Sequence, residues 1–255
     1  MSKMPVVFVG HGSPMNIVEN NRFTDGWKAL AGSLPQPKAI VCVSAHWYGR
    51  DQAVSSVARP ATIHDFYGFP PELYKVVYPA PGAPKLAARI LDLFSQDILL
   101  DPDRGLDHGA WSVLHFMYPQ ADIPVCQLSV KASLSPEESY RTGQRLRPLR
   151  EEGVLIIGSG DVVHNLALVD WERTDGYDWA DDFDAYIKAA VIEGRHEAAV
   201  NYKNAGPSAG LAFTQRDHYD PLLYVLGAAD QGDPARVFND ERVMGALSMT
   251  SYIIG

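Results

Sequence analysis

The sequence has few cysteines, a deficit of positive charge and no long apolar run. Its two cysteines, Cys42 and Cys126, both lie inside apolar stretches, which favours small buried side chains over a disulfide or a thiolate metal site. Lysine and arginine total 22 against 31 aspartates and glutamates, so the net charge is −9. This charge argues against nucleic acid or an anionic membrane as the main partner. No apolar stretch approaches the roughly 20 residues that cross a bilayer.

The sequence also lacks features that would indicate several domains or a signal peptide. There is no internal repeat, low-complexity tract or interdomain linker, so we expect residues 1–255 to form a single domain. The first five residues run directly into an apolar stretch and leave no room for the charged and apolar regions of a signal peptide. We therefore expect a cytoplasmic protein. Hydrophobic residues make up 46% of the sequence, which is enough for one large core.

Several common catalytic motifs are absent. The H-E-x-x-H motif of zinc proteases does not occur, and neither does the G-x-S-x-G turn of serine hydrolases. Ser159 lies between two glycines but lacks that spacing, so we expect a loop residue there. The glycines around His11 lack a phosphate-binding lysine and do not match G-x-G-x-x-G, so a phosphate site is poorly supported.

Three apolar runs each end in a polar loop that carries a histidine. Residues 5–9 lead to His11, residues 39–43 lead to His46, and residues 154–157 lead to His164. A buried parallel strand has such a continuous apolar sequence. In open α/β sheets, ligands bind at the carboxyl ends of the strands. The pattern predicts an α/β fold with a mostly parallel central sheet, helices on its flanks and a metal site at the carboxyl ends of the strands.

The remaining segments fit this architecture. Helices are predicted at 23–34, from Pro84, from the Ser135 N-cap, at 179–193 and at 222–228, and strands at 124–130 and 246–254. Residues 50–83 are rich in proline and aromatic residues and have no regular pattern. Because so long an irregular stretch in a compact domain is usually functional or disordered, and its aromatic content argues against disorder, we expect an ordered lid or pocket wall.

The eight histidines differ in their surroundings. His196 lies between Arg195 and Glu197 and is expected to be solvated, and His115 lies in a helical apolar pattern and is expected to have a structural role. Imidazole ligands without thiolates suit zinc, iron, copper or nickel better than magnesium or calcium. Histidines alone do not distinguish zinc hydrolysis from iron and oxygen chemistry, so both stay open at this point.

Six motifs, taken in order, resemble a known family. They are GHGSPMN at 10–16, SAHW at 44–47, IHDF at 63–66, DHGAW at 107–111, VVHN at 162–165 and HYDPLLY at 218–224. The set is similar to the class III extradiol ring-cleavage dioxygenases, in particular the DOPA 4,5-dioxygenase-like branch, and the likeness runs from residue 5 to the end of the chain. The resemblance implies a single catalytic domain and a non-haem Fe(II) enzyme that inserts O₂ into a catecholic substrate, DOPA or a related phenolic acid.

The resemblance also implies roles for individual histidines. His11 and His46 match two metal ligands, and His218 takes the third position, where protocatechuate-type relatives have a glutamate. A three-histidine set carries one more unit of positive charge and is also typical of zinc, so zinc is the alternative to Fe(II). His164 matches the acid/base residue or a fourth ligand. His108 matches a second catalytic histidine near oxygen or substrate.

Further residues are candidates for supporting roles. Each imidazole needs an acceptor that fixes its tautomer, and Asp65, Asp107 and Asp161 are near in sequence. Aromatic residues expected at the pocket wall are Trp47, Tyr48, His64, Phe66, Tyr67, Phe69 and Trp111. Two rival functions stay open, a zinc-dependent hydrolase with His164 or Asp161 as general base, and a non-catalytic binding protein on the same fold.

Overall fold

The computed structural model describes residues 3–255, and it consists of ten strands and seven α-helices joined by loops and short 3₁₀ helices. The strands are β1 Val6–Gly10, β2 Ala39–Gly49, β3 Ala53–Ser55, β4 Leu99–Asp101, β5 Val125–Lys131, β6 Val154–Gly160, β7 Ala235–Phe238, β8 Arg242–Val243, β9 Leu247–Ser248 and β10 Ser251–Ile254. The helices are α1 Arg22–Ser33, α2 Pro84–Leu93, α3 His108–Met117, α4 Pro136–Leu146, α5 Asp178–Ile192, α6 His196–Val200 and α7 Asp220–Ala228. The predicted entry of residues 1–5 into β1 includes Met1 and Ser2, which lie outside the described residues.

Eight of the strands form one sheet in the order β4-β3-β5-β2-β6-β1-β10-β7. The four central strands β5, β2, β6 and β1 are parallel, whereas β10 pairs antiparallel with β1, and β7 pairs antiparallel with β10. The predicted α/β fold with a mostly parallel central sheet is confirmed. Since β1, β2 and β6 are adjacent and parallel, their carboxyl ends meet at one edge of the sheet.

Both faces of the sheet are covered by helices, as the continuous apolar strands require. In β1, Val7 and Val9 pack with α1 and α3 on one face, while Val6 and Phe8 pack with α2 and α4–α7 on the other. Successive side chains of a strand point to opposite faces, so each strand contributes to two cores. No helix in residues 3–255 has the length and apolar character to span a membrane.

The helix ends follow their capping residues. The side chain of Ser135 accepts from the backbone of Glu138, which starts α4 at Pro136 as predicted. Asn21 caps α1 in the same way, so this helix begins at Arg22 and ends at Ser33, one residue before the predicted bounds. Helix α5 is also displaced by one residue, and α7 begins two residues earlier than predicted.

Three predictions of local structure are corrected. Strand β2 continues to Gly49, so His46 lies within the strand, at an irregularity between Val43 and Tyr48 in its pairing with β5. The predicted single strand at 246–254 is divided into β9 and β10. Strand β9 pairs with β8 in a separate two-stranded sheet, whereas β10 pairs with β1. Between them the Ser248 hydroxyl accepts from the Thr250 backbone at 3.2 Å, and such local bonds compete with strand pairing. The irregular segment 50–83 contains β3 and a 3₁₀ turn.

Candidate metal centre and active site

The predicted histidines surround one cavity of about 660 Å³ at the carboxyl ends of the central strands. The lining residues are His11, Gly12, Ser13, Pro14, His46, Asp65, Phe66, Tyr67, Gly68, Phe69, His108, His164, Leu166, Trp171, Asp217, His218 and Leu247. They come from the loops after β1 and β6, from the end of β2, from the 50–83 segment, from the start of α3 and from the loop before α7. The cavity therefore collects chain segments that are far apart in the sequence.

His11 is directed into the cavity by the backbone that follows β1. Its N–H donates to the Gly160 carbonyl at 3.1 Å, which extends the pairing with β6 by one residue. Gly12 then turns the chain with a φ of +57°, a conformation that glycine adopts without steric cost. The Gly12 N–H donates to the Asp161 carboxylate at 3.1 Å and ties this turn to the end of β6.

Hydrogen bonding determines the tautomer of His11. The Ser159 hydroxyl donates its one proton to the Gly109 carbonyl at 2.6 Å. Its contact of 3.0 Å with His11 Nδ1 must then be one in which the serine oxygen accepts. Nδ1 of His11 therefore carries the proton, and Nε2 has a free lone pair. Nε2 lies 3.0 Å from Nε2 of His46.

Asp65 joins His46 to His108. One carboxylate oxygen lies 3.3 Å from Nδ1 of His46 and 3.0 Å from Nδ1 of His108. The other oxygen accepts from the His108 backbone N–H at 2.9 Å. A carboxylate beside Nδ1 favours the proton on that nitrogen, which leaves Nε2 of both rings free to bind a metal or accept a proton.

His218 and His164 form the opposite side of the cluster. The two rings are stacked with their centroids 3.5 Å apart and an interplanar angle of 3°. Nδ1 of His218 lies 3.3 Å from the Asp217 carboxylate. Nε2 of His218 is buried and has no hydrogen-bond partner among the described residues. A buried ring nitrogen without a partner is costly unless something binds it.

These contacts fit a metal ion. Ring nitrogens of His11, His46 and His218 all lie within 4.8 Å of one another. Two nitrogens each about 2.1 Å from one ion, at a right angle, are about 3.0 Å apart, which is the separation of the His11 and His46 Nε2 atoms. Ligand atoms of His164 are grouped instead with those of His218 and Asp161. The three-imidazole set suits iron or zinc in particular.

Burial dominates the electrostatics of the cluster. Burial and the neighbouring histidines lower the pKa of His11 and of His218 well below the ordinary value. Burial lowers the pKa of His46 to about 3, and that of His164 to about 4. These four imidazoles are therefore neutral near pH 7, the form that binds a metal. Burial raises the pKa of Asp65, but its bond to His108 and the nearby histidines bring it to about 2.

Not every predicted supporting residue lies in the cavity. Asp107 was a wrong choice as an imidazole acceptor, because its carboxylate bonds Ser44, Gln127 and Arg104 at 2.7 to 2.8 Å and caps α3. Of the predicted aromatic wall, Phe66, Tyr67 and Phe69 line the cavity. Trp47, Tyr48, His64 and Trp111 are outside its lining.

The two histidines set aside in the sequence lie away from the cavity. His115 is half-buried on α3, in line with a structural role. His196 is half-buried rather than solvated, with Nδ1 3.4 Å from the Tyr140 hydroxyl. The expectation of full solvation was wrong because α6 packs against α4, where Tyr140 lies.

Several residues of the site were missed from the sequence, among them Leu166 and Leu247 of the cavity lining. Ser159 lies at the end of β6 rather than in a loop, and no local pattern connects it to His11. Trp171 lines the cavity from an irregular segment. Asp217 had a local signal, its position next to His218, but that signal did not assign it a role.

The fold and the histidine cluster together define an α/β enzyme with a metal-type site at the ends of parallel strands. The chain belongs to the family of the catalytic LigB subunit of aromatic ring-opening dioxygenases, whose model matches residues 5–255. It is therefore an extradiol ring-opening dioxygenase, and the predicted family and activity are confirmed. Enzymes of this family depend on a metal, and the cluster can hold one.

Full-length relatives support this assignment. The chain is 45% identical to a protein of Escherichia coli K12 named 4,5-DOPA dioxygenase extradiol, over 100% of this chain and 96% of that one. It is 40% identical to a protein of the same name from Beta vulgaris, over 96% and 94% of the two chains. A crystal structure of an uncharacterized protein from Escherichia coli K12 superposes with a TM-score of 0.86 at 40% identity, covering 99% of this chain and 100% of that chain.

Proposed function

We propose that this dioxygenase cleaves catechols at an Fe(II) ion held by His11, His46 and His218. The observation that carries the proposal is the convergence of three imidazoles, of which His11 and His218 are buried and His46 is half-buried. The His11 and His46 Nε2 atoms are 3.0 Å apart, and Nε2 of His218 lacks any other partner among the described residues. Zinc suits the same ligands, so the metal is a matter for experiment. When bound, Fe(II) would bind the catechol and O₂ side by side and pass electron density between them.

His164 and His108 are proposed as the acid/base pair of the reaction. A catechol loses a hydroxyl proton when it binds as a chelate, and a neutral imidazole at the cavity wall can accept that proton. His164 suits this role because its ring lines the cavity and is stacked on His218. Its ligand atoms are grouped with those of His218 and Asp161 but not with those of His11 and His46, which favours acid/base work over a fourth ligand position. His108, held by Asp65, would return a proton at a later step.

The substrate proposed is DOPA or a related phenolic acid, with O₂ as the second substrate. The relatives from Escherichia coli and Beta vulgaris carry DOPA in their names. The cavity of about 660 Å³ lies within the size range of small-molecule sites, and Phe66 and Phe69 provide an aromatic wall for a ring. Residues 1–255 would act as one catalytic domain. The cytoplasmic location stays a prediction.

The decisive experiment is anaerobic reconstitution with Fe(II), followed by O₂ uptake on addition of L-DOPA. We expect one O₂ consumed for each molecule of yellow ring-opened product, and no uptake by the zinc-loaded protein. Absence of uptake across a panel of catechols, together with firmly held zinc, would contradict the Fe(II) proposal.

The ligand assignment is tested by His46→Ala. Because one of three ligands is lost, we expect metal content at least about tenfold lower in the folded variant. His196→Ala is the matched control and should bind metal and turn over like the unaltered enzyme. Unchanged metal content in His46→Ala, or a large loss in His196→Ala, would mean that the ion is held elsewhere.

A further inference from the structure

The cavity has an unusual balance of charge for an enzyme of phenolic acids. Its lining contains two carboxylates, Asp65 and Asp217, and no lysine or arginine among the described residues. Both carboxylates are partly accessible, with side-chain exposures of 21% and 30%. The charged side chains of the lining, apart from the histidines, are thus acidic, and no lysine or arginine is available there to bind a substrate carboxylate.

Cations near the cavity are already paired. Arg104 donates to Asp107 at 2.8 Å and to the His46 carbonyl at 3.1 Å. Arg216 forms an ion pair with Asp220 at 3.1 Å and donates to the Leu134 carbonyl. Arg173 pairs with Asp175 at 2.7 Å. Each would have to leave a carboxylate before it could bind a substrate anion, so none is a ready partner.

The mouth of the cavity is apolar and aromatic. Tyr67 is 92% exposed, Trp171 is 68% exposed and Leu166 is 60% exposed, and all three line the cavity. If the catechol hydroxyls face the histidines, the substituent on the opposite side of the ring lies toward this mouth. Apolar groups bury surface there, and an ammonium group is attracted to the faces of Trp and Tyr rings. A carboxylate gains neither interaction and finds no lysine or arginine in the lining to pair with.

We propose that this cavity selects catechols whose side chain has no net negative charge, either neutral or bearing an ammonium group. Catechols whose side chain carries only a carboxylate are disfavoured. DOPA, with an ammonium and a carboxylate, belongs to the favoured class, and caffeate does not. This proposal rests on the proposed ring cleavage of catechols and specifies its substrate class.

The test compares three catechols that differ mainly in side-chain charge, namely 4-methylcatechol, dopamine and 3,4-dihydroxyphenylacetate. With Fe(II)-loaded enzyme we expect kcat/KM for the carboxylate to be at least about tenfold below that of 4-methylcatechol, and dopamine to equal or exceed it. Equal or better cleavage of the carboxylate would overturn the proposal.

Binding provides a readout that does not need turnover. Quenching of tryptophan fluorescence in the zinc-loaded protein gives a Kd for each of the three catechols. The same order of affinity supports charge selection even if no O₂ is consumed, a result that would contradict only the proposed Fe(II) chemistry. Equal Kd values, tighter binding of the carboxylate, or no binding of any catechol at millimolar concentration would overturn the selection.

Two lysine variants test whether the charge selection arises at the cavity mouth. Leu166→Lys adds a cation at the cavity mouth, and we expect it to raise kcat/KM for 3,4-dihydroxyphenylacetate about tenfold relative to 4-methylcatechol. Leu99→Lys is the matched control, since Leu99 is 57% exposed but lies on β4, outside the cavity lining. It should leave that ratio unchanged. The same ratio in both variants would contradict charge selection at the mouth.

Discussion

Replacement of Ser159 by alanine tests how the protein prepares His11 for a metal. Ser159 is fully buried, and its hydroxyl accepts from His11 Nδ1 at 3.0 Å while donating to the Gly109 carbonyl at 2.6 Å. Alanine fills nearly the same space but removes both bonds. His11 then loses the acceptor that holds the proton on Nδ1, so the tautomer with a free Nε2 is no longer favoured.

Two separate effects follow, on stability and on metal binding. Each buried group left without a partner costs about 1–3 kcal/mol. The Gly109 carbonyl keeps its bond within α3, so His11 Nδ1–H is the group left without a partner. In a chain of this length, each kcal/mol of stability corresponds to about 2–4 °C in melting temperature, so the metal-free variant should melt at least about 2 °C lower. Loss of the bond that orients a ligand histidine typically weakens metal binding about 10–100-fold.

Ser129→Ala is a matched control. Ser129 is buried, and its hydroxyl also makes one bond of each kind, accepting from Ala53 N–H at 2.8 Å and donating to the Asp51 carbonyl at 3.0 Å. It lies on β5 and outside the cavity lining. We expect a similar fall in melting temperature with unchanged metal affinity.

The assay is thermal unfolding of the metal-free proteins, together with titration of Fe(II) or zinc against a chromophoric chelator. The reasoning is refuted if Ser159→Ala and Ser129→Ala bind metal equally well. It is also refuted if Ser159→Ala keeps the stability of the unaltered protein, because the two hydrogen bonds would then have no energetic weight.

Three further predictions concern Asp65, the metal and the cysteines. Asp65→Asn removes the charge shared by two histidines and should weaken metal binding about 10–100-fold. The exposed control Asp103→Asn should bind metal like the unaltered protein. Equal metal titration curves for the two variants would contradict the role of Asp65 in orienting the histidines. Metal at 100 times its Kd should stabilise the protein by about 2.7 kcal/mol, so a chelator should lower the melting temperature by about 5–11 °C. If a chelator lowered the melting temperature of His46→Ala by a similar amount, the result would be inconsistent with a metal site that includes His46. Burial raises the pKa of the Cys42 and Cys126 thiols, so neither should react with an aromatic disulfide reagent until the protein is unfolded in urea, and a rapid reaction of the folded protein would disagree.

Much of the architecture could be predicted because it depends on local patterns. The apolar runs at 5–9, 39–43 and 154–157 can be buried only inside a covered sheet, and they form β1, β2 and β6. Proline and serine at the start of α4 define a helix end through bonds within four residues. The division of 246–254 into two strands was missed because β9 pairs with β8 whereas β10 pairs with β1, and no local pattern specifies these partners.

The candidate site was also predicted in part from local patterns. Histidines near the carboxyl ends of three parallel strands lie near one another, since the strand ends share one edge. His11 and His46 follow from that rule, although His46 lies within β2 and not after it. His218 followed only from the resemblance to a family, because it precedes a helix rather than following a strand. Its proposed role, like those of the other histidines, awaits the experiments above.

The sequence by itself determined the fold class, the strands that build the site and the histidines at their ends, because burial and strand ends are encoded over a few residues. Only the tertiary structure decided which groups surround each imidazole. Ser159 meets His11 across 148 residues of chain, and Asp65 meets His108 across 43. The tertiary structure also decided the charge of the cavity lining, because each nearby arginine is paired with a carboxylate that lies outside the cavity. Such contacts depend on side-chain directions in three dimensions, which no local pattern of residues specifies.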